Sequence, residues 1–553
     1  MNEKIQNEKP CLVNTPQGFS VLYRNKLLYS KYAPQKAVCQ AVENLTVLPG
    51  TLFLCCSPVL SYGLSELLSK LDDSSICLLC EFDAELSAFS KAQFSPEQNN
   101  KMKKAARLTL PELQNLPVLL NEPSFTTAEG VQLFPAGTFK RVVRIDFSAG
   151  VQLHNELYDQ LSAACTNAIM TFWANRMTLV KFGRKYSQNF FKNLKLLPHT
   201  TPVQSFFGTV SKPIIVFGAG ESAEEGIKMM KNAALSSYFV LCADTALQPL
   251  LAGGIEPDGV FVEEAQTIIK KAFIGTQDSR TQIFAGLSAV PHLDKIKQPE
   301  KLSFFTTFYT KAEFIKSMQA QGILPPANEP FGSVGLTAVY YALKFRSYEE
   351  VPVYLYGLDF SYSAGKTHTK GTLAHIERLL QNTKLRPAAN YSASFGALAE
   401  AVIGKNGSKV YTTRTLKNYA NLFTGLFAGT KNLFDAGSSG LELGLEHKIP
   451  ETNSDLIKHT KNKAGLFSPS QYSAIKEYFY SERKSLEKLR DLLTGKIELP
   501  PEERNARITK LAAPREYLYL HFADGIRFST ELSFLKRIRT EIDFFLKIIE
   551  KIN

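Results

Sequence analysis

No apolar run in this 553-residue chain is long enough to span a bilayer. The opening Met1-Asn2-Glu3-Lys4-Ile5-Gln6-Asn7-Glu8-Lys9-Pro10 also lacks the apolar core of a signal peptide. The expectation is a cytoplasmic protein without membrane insertion. A dense Arg/Lys run is missing too, and no basic segment is interleaved with stacking aromatics. The formal net charge of +12 therefore reads as solvated surface plus a pocket for an anionic ligand, with no nucleic-acid partner. There is one tryptophan, Trp173, and it falls in a helical pattern as core. The eight cysteines (Cys11, Cys39, Cys55, Cys56, Cys77, Cys80, Cys165 and Cys242) offer no second pair of zinc spacing. Cys77-x-x-Cys80 lies inside the apolar run Ile76-Cys77-Leu78-Leu79-Cys80, which predicts buried, reduced thiols. Repeats and low-complexity tracts are absent.

What is present is material for packed cores, with 44% apolar and 21% charged residues, in a chain too long for one core. The pattern divides into a smaller α/β domain over 1–165, a helical connector over 166–211, a central α/β domain over 212–455 and an all-α domain over 456–553. In the first, Leu52 to Cys56 and Ile76 to Cys80 read as strands around a helix from Leu64 to Leu71, and the second strand ends at Glu81-Phe82-Asp83. The turn Ser57-Pro58-Val59-Leu60-Ser61-Tyr62-Gly63 lacks the glycines that let a backbone approach phosphate, so this domain reads as a degenerate, structural one. In the connector, Ile169, Phe172, Trp173, Met177, Val180 and Phe182 fall near helical spacing.

In the central domain, strands at Ile214 to Phe217, Tyr238 to Cys242, Val260 to Val262 and Val353 to Tyr356 alternate with helices at 223–232, 245–252 and 333–345. Parallel strands alternating with helices predict a Rossmann-like, doubly wound sheet. Beyond about 455, Tyr472 to Leu493 and Ile526 to Ile552 show long helical periodicity, separated by Pro500-Pro501. Their apolar stripes suit docking of a helical partner.

Two strands end abruptly in small or acidic residues, at Gly218-Ala219-Gly220-Glu221-Ser222 and at Gly357-Leu358-Asp359-Phe360-Ser361-Tyr362, the latter running on through Gly365-Lys366-Thr367-His368. Buried parallel strands deliver polar groups to the carboxyl edge of the sheet in this way, and ligands bind there. Between them stand Ala243-Asp244-Thr245-Ala246-Leu247-Gln248-Pro249-Leu250-Leu251, closing on Gly254-Ile255-Glu256-Pro257-Asp258, and Phe331-Gly332-Ser333-Val334 at the start of a helix. Together these pieces, over Pro213 to Lys448, resemble the motility accessory factor (Maf) family of flagellin glycosyltransferases, whose central domain is similar to bacterial sialyltransferases. Tyr29-Ser30-Lys31-Tyr32-Ala33-Pro34 and Lys181-Phe182-Gly183 through Asn189, Asn193 and Leu194 extend the resemblance over most of the chain.

The resemblance implies transfer of a nonulosonic acid, of pseudaminic or legionaminic type, from a CMP-activated donor to Ser/Thr of flagellin, in support of flagellum assembly and motility. It assigns Gly218, Gly220 and Ser222 to the CMP part of the donor. Glu221, where the family has proline, sets a negative charge beside the phosphate unless it points away or pairs with a base or ribose hydroxyl. Asp244 either contacts the nucleotide or caps the helix at Thr245. Asp258 closes this donor-side set, although with Glu263 and Glu264 it is also a candidate hard-cation cluster. Gly332, Ser333 and Val334 open a helix free of acids in its first turn, which makes an anion hole or a plain cap.

On the catalytic side, Tyr362 and Lys366 would hold the phosphate and Asp359 would orient neighbouring groups. His368 is the candidate base, with His375 its rival. Tyr411, Thr412 and Thr413 would close the pocket. No cofactor is required on this reading beyond the CMP donor, and a divalent metal is not expected. Two other functions fit parts of the chain: a pterin pyrophosphokinase-like enzyme using ATP and magnesium, and a non-catalytic flagellin-binding accessory protein.

Overall fold

The structure is a computed structural model that describes residues 9–93, 104–231, 235–276, 278–291, 299–310, 312–451 and 469–550. Asn232, Ile552, most of the opening peptide and the expected 455/456 boundary lie outside the described residues. The chain gathers into two compact units, Met1–Leu179 and Val180–Asn553, where the sequence suggests four segments. The division falls inside one 42-residue helix, Asn155–Leu196, whose second half packs with the carboxyl-terminal helices. The expected connector is thus divided: Ile169 and Trp173 pack in the core of the first unit, whereas its part beyond Leu179 and the terminal helices belong to the unit of the central sheet. Among the described residues no helix is long and apolar enough to cross a membrane.

In the first unit, β1 (Cys11–Thr15), β2 (Gly18–Tyr23) and β3 (Lys26–Leu27) form an antiparallel meander. A parallel sheet follows, built from β4 (Thr51–Cys56), β5 (Ile76–Cys80), β6 (Ala105–Arg107) and β9 (Arg141–Asp146), while β7 (Phe125–Thr126) and β8 (Gln132–Leu133) pair separately. Cys55, Cys56, Cys77 and Cys80 are buried within β4 and β5. At the end of β4, Ser57 takes a φ of +49°, a left-handed conformation normally left to glycine. Its hydroxyl donates to Glu81 at 2.7 Å, and Tyr158 donates to the same carboxylate at 3.1 Å. Burial raises the Glu81 pKa. The Ser57 hydroxyl and the Glu81 carboxylate at this edge are thus engaged with each other and with Tyr158 within the unit.

In the second unit the central sheet has nine strands: β10 (Ile214–Phe217), β11 (Phe239–Ala243), β12 (Gly259–Val262), β13 (Gln282–Gly286), β14 (Leu302–Thr307), β15 (Ala327–Asn328), β16 (Val353–Tyr356), β19 (Leu433–Asp435) and β20 (Glu446–His447). Their order is β15-β14-β13-β12-β11-β10-β16-β19-β20, every pair parallel. A hairpin of β17 (Ala399–Ile403) and β18 (Lys409–Thr413) stands apart. β10, β12 and β16 are buried along their whole length, as their continuous apolar runs require. The chain winds outward from β10 through β11 to β15 and then returns to place β16 on the other side of β10. That reversal opens a crevice at the carboxyl ends of β10 and β16.

The helix Ala223–Lys231 lies tight against these two strands. A Cβ on Gly226 would come within 2.5 Å of Phe217 and 2.7 Å of Tyr356. Gly226 thus supplies the close helix-to-strand approach that a third glycine gives in a dinucleotide fingerprint. The helix Leu532–Glu550 buries Phe534, Ile538, Ile542, Phe545, Leu546 and Ile549. Its apolar stripe, read from sequence as a docking face, packs against the Phe190–Leu194 stretch and Tyr517 instead. A further helix, Pro501–Ala512, begins where the sequence shows only a separating Pro-Pro; the second proline occupies the first turn, where its missing N–H leaves no bond unmade.

Candidate functional site

The crevice holds a cavity of about 500 Å³. Its floor is the two strand-to-loop turns, Gly218-Ala219-Gly220 after β10 and Gly357 to Tyr362 after β16. One wall comes from Asp244 and Thr245 beyond β11 and from Ser333, Val334 and Gly335 at the start of the helix Val334–Phe345. Thr367, His368, Asn390, Ala393, Leu416 and Tyr419 complete it.

The two turns fit only because both carry glycine. A Cβ on Gly218 would sit 2.3 Å from the Gly357 carbonyl oxygen, and one on Gly357, at φ +72°, 2.4 Å from that of Gly218. A brace locks them together: the Ser222 amide donates to Asp359 at 2.9 Å, the Ser222 hydroxyl donates to the other carboxylate oxygen, and the Gly357 amide donates to Ser222 Oγ at 2.7 Å. Ser222 is therefore buried behind the cavity, and its hydroxyl is committed to the brace and not to a donor. Asp359 shows an edge to the cavity, and burial pushes its pKa up to about 6.

Glu221 points away from the cavity and accepts from the Ser363 amide at 3.1 Å and the Ser363 hydroxyl at 2.5 Å. The negative charge that replaces the family's proline thus fixes the loop after β16. Lys366 lies outside the cavity as well, its Nζ 3.0 Å from Glu224. Burial alone would raise the Glu224 pKa, but the Lys370 amide and the Lys366 ammonium outweigh it and lower it. Tyr362 lines the cavity, yet its hydroxyl donates to the Ala393 carbonyl at 2.7 Å, so it anchors the opposite wall and offers no free donor to a phosphate.

Asp244 is buried and accepts from the Thr245 amide at 2.7 Å and the Thr245 hydroxyl at 3.0 Å. Burial, with Glu264 and Glu263 nearby, pushes its pKa up to about 7. Asp258 precedes β12 and so stands at the amino edge of the sheet, where it accepts from the Val240 amide at 2.8 Å. It belongs neither to the cavity nor with Glu263 and Glu264, which follow the same strand at its other end. Glu263 accepts from Thr337 at 2.7 Å and from Thr307 at 2.5 Å, and Glu264 from the Gln266 amide at 2.8 Å.

Ser333 occupies the N-cap of its helix but makes no side-chain capping bond, and the first turn contains no acid. Ser333, Val334 and Gly335 line the cavity at this helix N-terminus, which favours an anion. Gly332 lies just outside the lining; at φ +72° it lets the Tyr419 ring close in, since a Cβ there would fall 2.8 Å from that ring.

His368 stands exposed at the rim, but enough protein surrounds its imidazole to lower the pKa from the ordinary 6.5. Nδ1 lies 3.0 Å from the Thr367 hydroxyl. The rival His375 accepts the Gly371 amide on Nδ1 at 3.2 Å and does not line the cavity. Tyr411, Thr412 and Thr413 sit behind the wall: Thr412 donates to the Phe360 carbonyl and Thr413 caps the helix Arg414–Phe427. Sequence reasoning missed Asn390, Leu416 and Tyr419, which stand on a loop and on an unremarkable amphipathic helix, with no local pattern to mark them.

A family model described as MptE-like, 6-hydroxymethylpterin diphosphokinase MptE-like, matches residues 188–365, the stretch that supplies most of the cavity's lining. An uncharacterized protein of Treponema pallidum (strain Nichols) is 34% identical over 568 residues, spanning 98% of this chain and 95% of that one. The chain belongs to the family of this treponemal protein. Within that family its fold is similar to the structure of MAf glycosyltransferase from Magnetospirillum magneticum AMB-1, with a TM-score of 0.54 over 99% of this chain and 92% of the other, at 13% identity. The Maf resemblance seen in the sequence is thus met by a similarity of fold along nearly the whole of this chain.

Proposed function

We propose that this protein is a cytoplasmic glycosyltransferase that moves a nonulosonic acid from a CMP-activated donor to Ser/Thr hydroxyls of flagellin, in support of flagellum assembly. The observation that carries this reading is one cavity that pairs an uncapped helix N-terminus at Ser333 with a depressed-pKa histidine at the rim. The fold shared with a MAf glycosyltransferase supports it. In the transfer, the acceptor oxygen bonds to the anomeric carbon as the bond from that carbon to the CMP phosphate oxygen breaks, and CMP leaves with the electron pair. The Ser333 hydroxyl and the Val334 and Gly335 amides stabilise the charge that develops on the phosphate. His368, neutral at pH 7, takes the acceptor proton on Nε2.

The match to an MptE-like model favours a second reading, a pterin pyrophosphokinase using ATP and magnesium. The cavity's carboxylates fit a metal poorly, because Asp359 is spent on Ser222 and the pKa of Asp244 is pushed up to about 7. Thermal denaturation with CMP, and separately with ATP and magnesium, tests the choice, since a ligand of the native state raises the midpoint. A rise with CMP alone is expected, together with a loss of sugar mass from flagellin in cells lacking the gene. A rise with ATP and magnesium alone would transfer the site to the second reading.

A further inference from the structure

The stretch from Ser363 to Lys409 contributes Thr367, His368, Asn390 and Ala393 to the cavity and also turns an apolar face outward. It holds the helix Leu373–Leu380, the short helix Tyr391–Phe395 and the start of the β17–β18 hairpin. None of the residues of Leu373–Leu380 is buried, although Ile376, Leu379 and Leu380 share one helical face. An amphipathic helix normally spends that face on a core, as Leu532–Glu550 does here. Eight large apolar side chains between 376 and 403 are exposed, with Leu385 at 95%, Leu398 at 84% and Leu380 at 82%. Single exposed apolar residues are ordinary; a concentration of this kind marks a surface kept for a partner.

The charge on the same stretch says what kind of partner. Between 363 and 409 there are seven Lys or Arg and two acids. Both acids are already paired, Glu377 with Lys271 at 2.9 Å and Glu400 with Lys417 at 3.3 Å, and of the seven bases Lys366 is paired with Glu224 and Lys405 with Asp435. Lys384 and Arg386 take part in no ion pair among the described residues and flank Leu385. A second copy of the chain would bring this basic rim against itself across a two-fold axis, so a self-association is disfavoured by charge. Position adds the remaining constraint. Tyr391 and Phe395, stacked 6.4 Å apart, flank Ala393 on the helix that reaches the cavity, so the apolar surface begins at its mouth.

We propose that this surface seats the acceptor polypeptide, through an amphipathic segment carrying apolar and acidic side chains, while its hydroxyl enters the cavity. The assignment rests on the transferase reading above and names where its acceptor binds. The double variant Leu380→Glu with Leu385→Glu tests it, since both residues are exposed and contribute no core. The probe is flagellin purified from the same cells. The variant is expected to keep the CMP-induced rise in midpoint and its rate of releasing free CMP from the donor in the absence of acceptor. Its capture of flagellin should fall at least tenfold, and KM for flagellin should rise with it.

Unchanged capture by the variant, beside capture by the unmodified protein, overturns the surface and leaves the transferase reading intact. If the unmodified protein captures no flagellin, the transferase reading falls and the seat with it. Sedimentation covers the alternative of self-association: an unmodified dimer that the variant converts to monomer would assign the face to a second copy. Flotation with phosphatidylglycerol–phosphatidylcholine vesicles covers a lipid surface, and binding lost in the variant would overturn the proposal.

Discussion

His368 and Asp244 are both displaced from their ordinary titration, in opposite senses, and each displacement has a measurable consequence. A base must be neutral to accept a proton, and the protein crowded around the imidazole of His368 at the rim lowers its pKa below 6.5. The transfer rate should therefore be flat across neutral pH and fall only on the acid side, below the usual histidine midpoint. His368→Ala should lower transfer by about 10²- to 10⁴-fold and leave CMP affinity in place. A loss under about threefold, or an acid limb that survives the substitution, would remove the role. Asp244 shifts the other way, its folded pKa raised from 3.8 to about 7. The folded state then binds more protons at this group than the unfolded one between those values, so the contribution of Asp244 to stability is fully present below about pH 4 and is lost as pH rises through about 7. At ~1.4 kcal/mol per unit the full effect is on the order of 4 kcal/mol. Asp244→Asn keeps an acceptor for the Thr245 amide and cannot ionise. Its melting midpoint should change less between pH 5 and pH 8 than that of the unmodified protein, and equal slopes would refute the assignment.

The helix Val334–Phe345 departs from the usual behaviour of a serine cap. Removing an N-cap hydroxyl ordinarily costs about 1 kcal/mol of stability. Ser333 makes no capping bond, so Ser333→Ala should leave the melting midpoint nearly unchanged. A hydrogen bond to a charged phosphate is worth about 1.5–3 kcal/mol, so CMP affinity by calorimetry should drop roughly 10- to 100-fold. An unaltered affinity would move the phosphate elsewhere. Gly220 behaves differently, because a Cβ there would meet the Asp359 carboxylate at 2.5 Å and disturb the brace before any ligand. At this scale the sequence was legible where strands were buried on both faces: β10 and β16 stand where their apolar runs end. It misled where direction mattered. Asp258 has the residue type of a strand-end acid, but it comes before β12, and a strand carries its first and last residues to opposite edges of the sheet. Glycine spacing likewise suggested ligand approach, when the tightest contact is between the two turns themselves.

Across the whole molecule, what the sequence could not convey is which apolar stripe meets which. Long periodicity identified the terminal helices, but an apolar face that docks a partner and one that closes a core have the same spacing. In the structure the terminal helices are core. Phe191, fully buried, lies 4.9 Å from Tyr517 and 5.7 Å from Phe545 between ring centroids, and the Glu516 carboxylate accepts the Glu313 amide at 2.7 Å at the start of the helix Glu313–Ala320. Arg184 donates to Glu541 at 2.8 Å. Ending the chain after Pro450 would uncover Phe191 and Phe314, at about 1.5–3 kcal/mol for each fully exposed side chain, and would leave that helix uncapped. Those losses together rival the stability of an ordinary domain. The shortened protein should therefore aggregate, or melt cooperatively at a much lower temperature, and should lose its CMP-induced stabilisation along with flagellin capture. Expression of the truncated chain, followed by thermal denaturation with CMP, decides it. A soluble product with unmodified CMP affinity that no longer captures flagellin would return the acceptor to the terminal helices and away from the surface around Leu385.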